Sequence, residues 1–204
     1  MRELVARRRR GEVDDTLILV EHPSVVTVGV QGDDGSAALS GFPVVAVERG
    51  GHATYHGPGQ LVGYPVVDLA ARGPDVRRFV RDVESIVVRA IAPFGIEGGH
   101  LPGQPGVWVD GRRKIASIGI AVEHWITFHG FALNVDPDLA AFEQFRPCGL
   151  HGSVMTSIGR ELGRPIDLSE VRPHVVRAWN EIFSSAALDG TTAAGTDRAP
   201  APAL

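Results

Sequence analysis

The chain of 204 residues carries one cysteine, Cys148. An internal disulfide is therefore excluded, which fits a reducing compartment and an expected cytoplasmic location. No apolar run approaches the roughly 20 residues that a membrane span needs. The opening Met1-Arg2-Glu3-Leu4 leads into a basic run over 7–10 with no apolar segment behind it, unlike a secretory leader. A net charge of −4 argues against bulk nucleic-acid binding. One cysteine and scattered histidines lack the paired spacing of zinc ligands. No glycine pattern of the nucleotide-binding type appears with its lysine or acidic partner. Neither a metal nor a cofactor is expected.

Lysine is nearly absent. Of the 20 basic residues one, Lys114, is lysine and the other nineteen are arginine. Arginine effectively never loses its proton, whereas a partly buried lysine can be tuned to do so. Lys114 is either a chance survivor in an arginine-biased chain or a position that needs a deprotonable cation.

What the chain has in plenty is glycine, and one stretch concentrates it: Arg49-Gly50-Gly51-His52-Ala53-Thr54-Tyr55-His56-Gly57-Pro58-Gly59-Gln60. Apolar, β-branched runs over 43–47 and 61–67 flank it and read as strands joined by this loop. Glycine allows another backbone or a ligand to approach closely. A plain solvent loop uses glycine and proline only to turn the chain. It has no need of His52, Tyr55, His56 and Gln60 so close together, so the stretch reads as functional.

Around it the pattern predicts strands over 16–20 and 25–30. A helix follows Gly73-Pro74-Asp75, with Val76, Phe79, Val80, Val83, Ile86, Val87, Ala90 and Ile91 on one face. A glycine–proline loop is expected over 98–106, then strands over 106–110, 114–122, 125–128 and 131–135. The first two are joined by an Asp110-Gly111 turn. Short helical stretches reach Phe145 and Leu162, and Ser169 is expected to cap a last helix with Pro173 in its first turn. The sum is one α+β domain over 1–185, helices packed on a mostly antiparallel sheet, followed by a tail over 186–204 too poor in large apolar groups to fold.

Cys148 lies in a Pro-Cys-Gly turn. A lone cysteine is often a small buried hydrophobe, but a turn presents the sulfur at a loop tip. To act as a nucleophile the thiol needs a base or cation nearby. Lys114, His52, His56, His129 and His151 are the candidates, and a Cys–His hydrolase stays open on this inventory.

Three blocks resemble the lipoyl(octanoyl) transferases, also called the lipoate–protein ligase B family. The first is the glycine stretch from Arg49 to Gln60 with Tyr64-Pro65. The second is Gly106-Val107-Trp108-Val109, Lys114-Ile115-Ala116-Ser117-Ile118-Gly119 and His129-Gly130-Phe131-Ala132-Leu133-Asn134. The third is Pro147-Cys148-Gly149-Leu150 with Thr156-Ser157-Ile158. The likeness runs from about residue 15 to about 182. It implies the fold of the biotin and lipoate ligase catalytic domain. It implies that Cys148 takes an octanoyl group from acyl carrier protein as a thioester and passes it to a lysine of a lipoyl domain, with Lys114 beside the cysteine. The acceptors so implied are the lipoyl domains of 2-oxoacid dehydrogenases and the glycine cleavage H protein, with no nucleic acid or membrane partner and a monomeric enzyme.

The acyl-binding residues so implied are Arg49, Gly50, Gly51, His52, Ala53, Thr54, Tyr55 and His56, with Ser117, Ile118, Gly119, Gly130, Phe131 and Ala132. Members of the family carry a strand and most of a helix before the stretch matching Arg7, a part missing or shortened here. The alternative on the same fold is an ATP-dependent lipoate or biotin ligase, yet neither the arginine-rich glycine loop of biotin ligases nor the glycine triplet of lipoate ligases is present. An acidic carrier protein is expected to dock near Arg49, Arg112 and Arg113.

Overall fold

β-branched and aromatic residues crowd 104–134, and there the chain lays down the centre of its main sheet. The computed structural model describes residues 1–145 and 152–183. The main sheet has six strands in the order β1 (Thr16–Val20), β5 (Gln60–Val66), β9 (Ile126–Asn134), β8 (Arg113–Glu123), β7 (Gln104–Val109) and β6 (Gly98–Leu101). Every neighbouring pair is antiparallel. A second sheet has the order β3 (Val44–Ala46), β2 (Val25–Val28), β4 (Ala53–His56), with β2–β3 parallel and β2–β4 antiparallel.

Four helices complete the described fold: α1 (Arg2–Arg9), α2 (Val76–Ile91), α3 (Ile158–Leu162) and α4 (Leu168–Phe183). The Asp75 carboxylate caps α2 by accepting from the Arg78 N–H at 2.9 Å. The helix then buries Phe79, Val83, Ile86, Val87 and Ile91 against β6, β7, β8, β9 and α4. Each such side chain contributes about 1.5–3 kcal/mol on leaving water. With β5 and β8 on its edges, β9 is buried along its whole length.

The expected α+β architecture and the Asp110-Gly111 turn stand, as does the α2 face from Phe79 onward, while Val76 in the first turn is exposed. Both turn residues have positive φ (51° and 63°), the backbone of a tight β7–β8 hairpin. Other expectations are corrected. The glycine stretch is not loop throughout, because Ala53–His56 forms β4. Thr54 and Tyr55 favour extended chain, while the left-handed glycines stand outside the strand at Gly51 and Gly59 (φ 90° and 85°).

The expected loop over 98–106 is instead a hairpin, β6–β7, turned at Gly103 (φ 77°). The two strands expected on either side of His129-Gly130 are one, since pairing with β8 runs on through Ile120↔His129 and Gly119↔Gly130. In α4 the cap is Asp167 rather than Ser169. The Asp167 carboxylate accepts from the Ser169 N–H at 2.7 Å and Glu170 accepts from the Asp167 N–H at 3.0 Å. This reciprocal pair starts the helix earlier and leaves Pro173 in the second turn. The expected tail lies outside the described residues beyond 183.

Candidate active site

Arg49 organises the site. The strands and loop around it present backbone carbonyls toward it, and its guanidinium collects them. One terminal nitrogen donates to the His52 and Gly50 carbonyls at 2.8 and 3.1 Å. The other donates to the Thr27 carbonyl and hydroxyl at 2.7 and 2.9 Å. Arg49 is 7% exposed. The segment it holds closes over β8, where the Gly50 N–H donates to the Ile120 carbonyl at 2.9 Å. A Cβ at Gly119 would stand 2.9 Å from the Gly50 carbonyl oxygen, so close approach there requires glycine.

Between the two sheets lies a cavity of about 140 Å³. From the smaller sheet and its loop come Thr27, Arg49, Gly51, Thr54 and His56, and from the main sheet Val62, Tyr64, Ser117, Ile118, Gly119, His129, Gly130, Phe131 and Ala132. Alternation along β4 decides which expected residues reach it. Thr54 and His56 face the cavity. Ala53 and Tyr55 face a separate core with Phe42 and Phe142, where the Tyr55 hydroxyl meets Ser24 Oγ at 2.9 Å. His52 is exposed and, with Gly50, lines an outer groove that also contains Lys114.

Lys114 is 4% exposed on β8, three residues before Ser117. Its ammonium stands 5.3 Å from the centre of the Trp108 ring. A Cβ at Gly106 would come within 2.6 Å of Lys114 Cε, so that glycine supplies the space the lysine occupies. The Gly106 N–H is held by the buried Glu84 carboxylate at 3.1 Å. Cys148 and His151 lie outside the described residues, but the chain that follows them is fixed against Lys114. The Thr156 N–H donates to the Lys114 carbonyl at 3.0 Å, beside a parallel bridge from Lys114 to Met155.

A buried amide chain ties that segment to the glycine stretch. The Gly57 N–H donates to Gln60 Oε1 at 3.0 Å, Gln60 Nε2 to Asn134 Oδ1 at 2.8 Å, and Asn134 Nδ2 to the Thr156 carbonyl at 2.9 Å. Buried amides so satisfied fix a unique geometry.

The chain's residues 1–180 match the family model described as the lipoyl protein ligase A/B catalytic domain. The octanoyltransferase of Rubrobacter xylanophilus is 47% identical over 191 residues, covering 89% of this chain and 85% of that protein. The chain belongs to the octanoyltransferase family. It is thus a transferase acting on acyl groups. Among solved structures, the bi-partite lipoate protein ligase of Thermoplasma acidophilum superimposes with a TM-score of 0.68 at 16% identity, covering 89% of this chain and 76% of that one. Biotin protein ligase from Aquifex aeolicus, in complex with biotin and ATP, gives 0.53 at 14% identity, covering 81% and 72%. These distant likenesses establish the ligase-type fold and carry no ATP-dependent chemistry to this chain.

The imidazoles in and beside the cavity are kept uncharged. Burial, and then the Arg49 charge, pull the His56 imidazole down to about 3, with His22 and His129 adding smaller pushes. Burial also lowers His22 and His129 and raises the Tyr64 phenol. At neutral pH the imidazoles therefore carry no charge, which suits an apolar occupant. The His22–Tyr64 contact (2.7 Å) gave no signal in the sequence, since nothing pairs positions 42 residues apart.

The three arginines expected near the carrier are presented differently. Arg49 is buried, and Arg113 is held by Glu161 at 2.8 Å and Asp110 at 2.8 Å. Only Arg112 is fully presented to solvent. Among the described residues no helix is long and apolar enough to cross a membrane.

Proposed function

We propose that this chain moves an octanoyl group from octanoyl-acyl carrier protein to one lysine of a lipoyl domain, through a thioester on Cys148. The cavity between the sheets, lined by Ser117 three residues along β8 from the buried Lys114, is the observation that carries this reading. The Cys148 thiolate attacks the carrier thioester. A new C–S bond forms, the old one breaks, and the departing carrier thiolate takes its proton from the Lys114 ammonium, which is left neutral. One thioester replaces another, so ATP is not required.

The acceptor amine then attacks the acyl carbonyl, the Cys148 sulfur departs, and Lys114 takes the proton the amine releases. A lysine can give up a proton and take one back in this step, and an arginine cannot. The glycine stretch, Ser117–Gly119 and Gly130–Ala132 wall the slot. Burying the acyl chain contributes about 0.8 kcal/mol per methylene. Lipoyl domains of 2-oxoacid dehydrogenases and the glycine cleavage H protein are the proposed acceptors, met by a monomeric enzyme in the cytoplasm.

Lys114→Arg tests the proton role. It keeps the charge that holds the thiolate, so the acyl-enzyme still forms, while transfer to a lipoyl domain falls by roughly 10²-fold or more, the usual scale for losing an acid–base group. Full transfer by that variant would refute the assignment.

A further inference from the structure

β9 does not run straight. His129 holds a φ of 58° in the middle of the strand, a left-handed conformation that a side chain with a Cβ resists. The kink takes the His129 N–H to the Met1 sulfur at 3.2 Å. It also lays the imidazole across one end of the cavity. There Nε2 stands 3.4 Å from the Glu48 carboxylate, which Arg2 also holds. The Phe128 and Tyr64 rings flank it with centres 5.2 and 6.4 Å away. The residue is 8% exposed, and the Met1 side chain lines the cavity beside it.

The opposite end is at Ser117 and Ala132, which face each other across β8 and β9 on the Lys114 side. Three residues of strand separate Ala132 from His129, about 10 Å at roughly 3.3 Å per residue. An extended octanoyl chain has seven carbon–carbon bonds of about 1.5 Å and, staggered, spans roughly 9 Å. We propose that the His129 imidazole is the floor of the acyl slot and limits the transferred chain to eight carbons. The strain at His129 is the structural cost of placing a second ring of β9 at the cavity, where Gly130, Phe131 and Ala132 also line it. The inference rests on reading the cavity as the octanoyl slot with its reactive end at Lys114.

The test compares acyl-enzyme formation by the intact protein from octanoyl-, decanoyl- and dodecanoyl-acyl carrier protein. His129→Gly fits the left-handed backbone better than histidine does and removes the floor. His129→Asn also tolerates that backbone and removes part of it. The decanoyl-to-octanoyl rate ratio is expected to rise roughly tenfold in the glycine variant, from two further buried methylenes, and less in the asparagine variant. An unchanged ratio in variants that still form the octanoyl adduct overturns the floor assignment alone. Absence of any adduct on the unsubstituted protein overturns the octanoyl reading and the floor with it.

Discussion

Replacing Arg49 with lysine keeps the charge and most of the length but loses the fork. The guanidinium reaches the Thr27 carbonyl and hydroxyl with one nitrogen and the Gly50 and His52 carbonyls with the other. A single ammonium can serve one side only, which leaves about two hydrogen bonds from a charged donor unmade. At roughly 1.5–3 kcal/mol each, the expected loss is about 3–6 kcal/mol. That is a large share of the 5–15 kcal/mol typical of a domain. Local opening of the 49–52 segment sets a ceiling on it, because the glycine stretch can come loose before the main sheet does. Urea unfolding of the two proteins reads the global part, and hydrogen exchange at Gly50 and Gly51 reads the local part. Amide exchange at Gly50 should accelerate, since its N–H bond to Ile120 is what closes the segment. If Arg49→Lys unfolds within about 1 kcal/mol of the parent and Gly50 stays protected, the hub assignment is wrong, since a residue serving only as a cation tolerates this exchange.

Gly106→Ala should displace Lys114, because its Cβ would meet the Ala116 carbonyl at 2.5 Å and Lys114 Cε at 2.6 Å, at a φ of 135°. Lower stability and slower acyl transfer are expected together, whereas Gly99→Ala on β6 meets nothing within 4 Å and should leave both unchanged; equal behaviour of the two refutes the account. Stability should also fall on mild acidification. His56 has a lowered folded pKa of about 3, so its contribution is complete above the unfolded value near 6.5 and is lost as pH drops from there toward 3. The slope approaches about 1.4 kcal/mol per pH unit for this residue. His56→Gln should flatten urea midpoints between about pH 6.5 and pH 5, above the range in which carboxylates titrate; an identical pH profile in the variant contradicts burial of a neutral imidazole.

The helical period of α2 and the Asp-Gly turn were legible because each is set by neighbours in sequence. The strand inside the glycine stretch was hidden by its composition, since four glycines in twelve residues mask the extended Ala53–His56. What makes those residues a strand is pairing with β2 across Val25–Val28, a contact no local pattern reports. The β6–β7 hairpin failed for the same reason, with Gly98 and Pro105 suggesting loop where pairing made sheet. His129-Gly130 read as a break because both favour irregular backbone, yet β8 holds β9 together through the kink. Lys114 stood out only by being the lone lysine, and its burial against Trp108 and Gly106 came from the fold. Arg49 was grouped with the acyl-binding residues and the carrier-docking arginines, and its structural part was missed because its partners are main-chain carbonyls, which a sequence does not display. Ala53 and Tyr55 were grouped with the acyl-binding residues by their place in a motif, and strand alternation turns them away from the cavity.

Mass spectrometry of the intact protein after mixing with octanoyl-acyl carrier protein, without ATP or acceptor, tests the acyl relay most directly. The account predicts a mass gain of one octanoyl group, sensitive to hydroxylamine, absent from Cys148→Ser and discharged by adding a lipoyl domain. An unmodified protein, or an adduct that persists in Cys148→Ser, contradicts it.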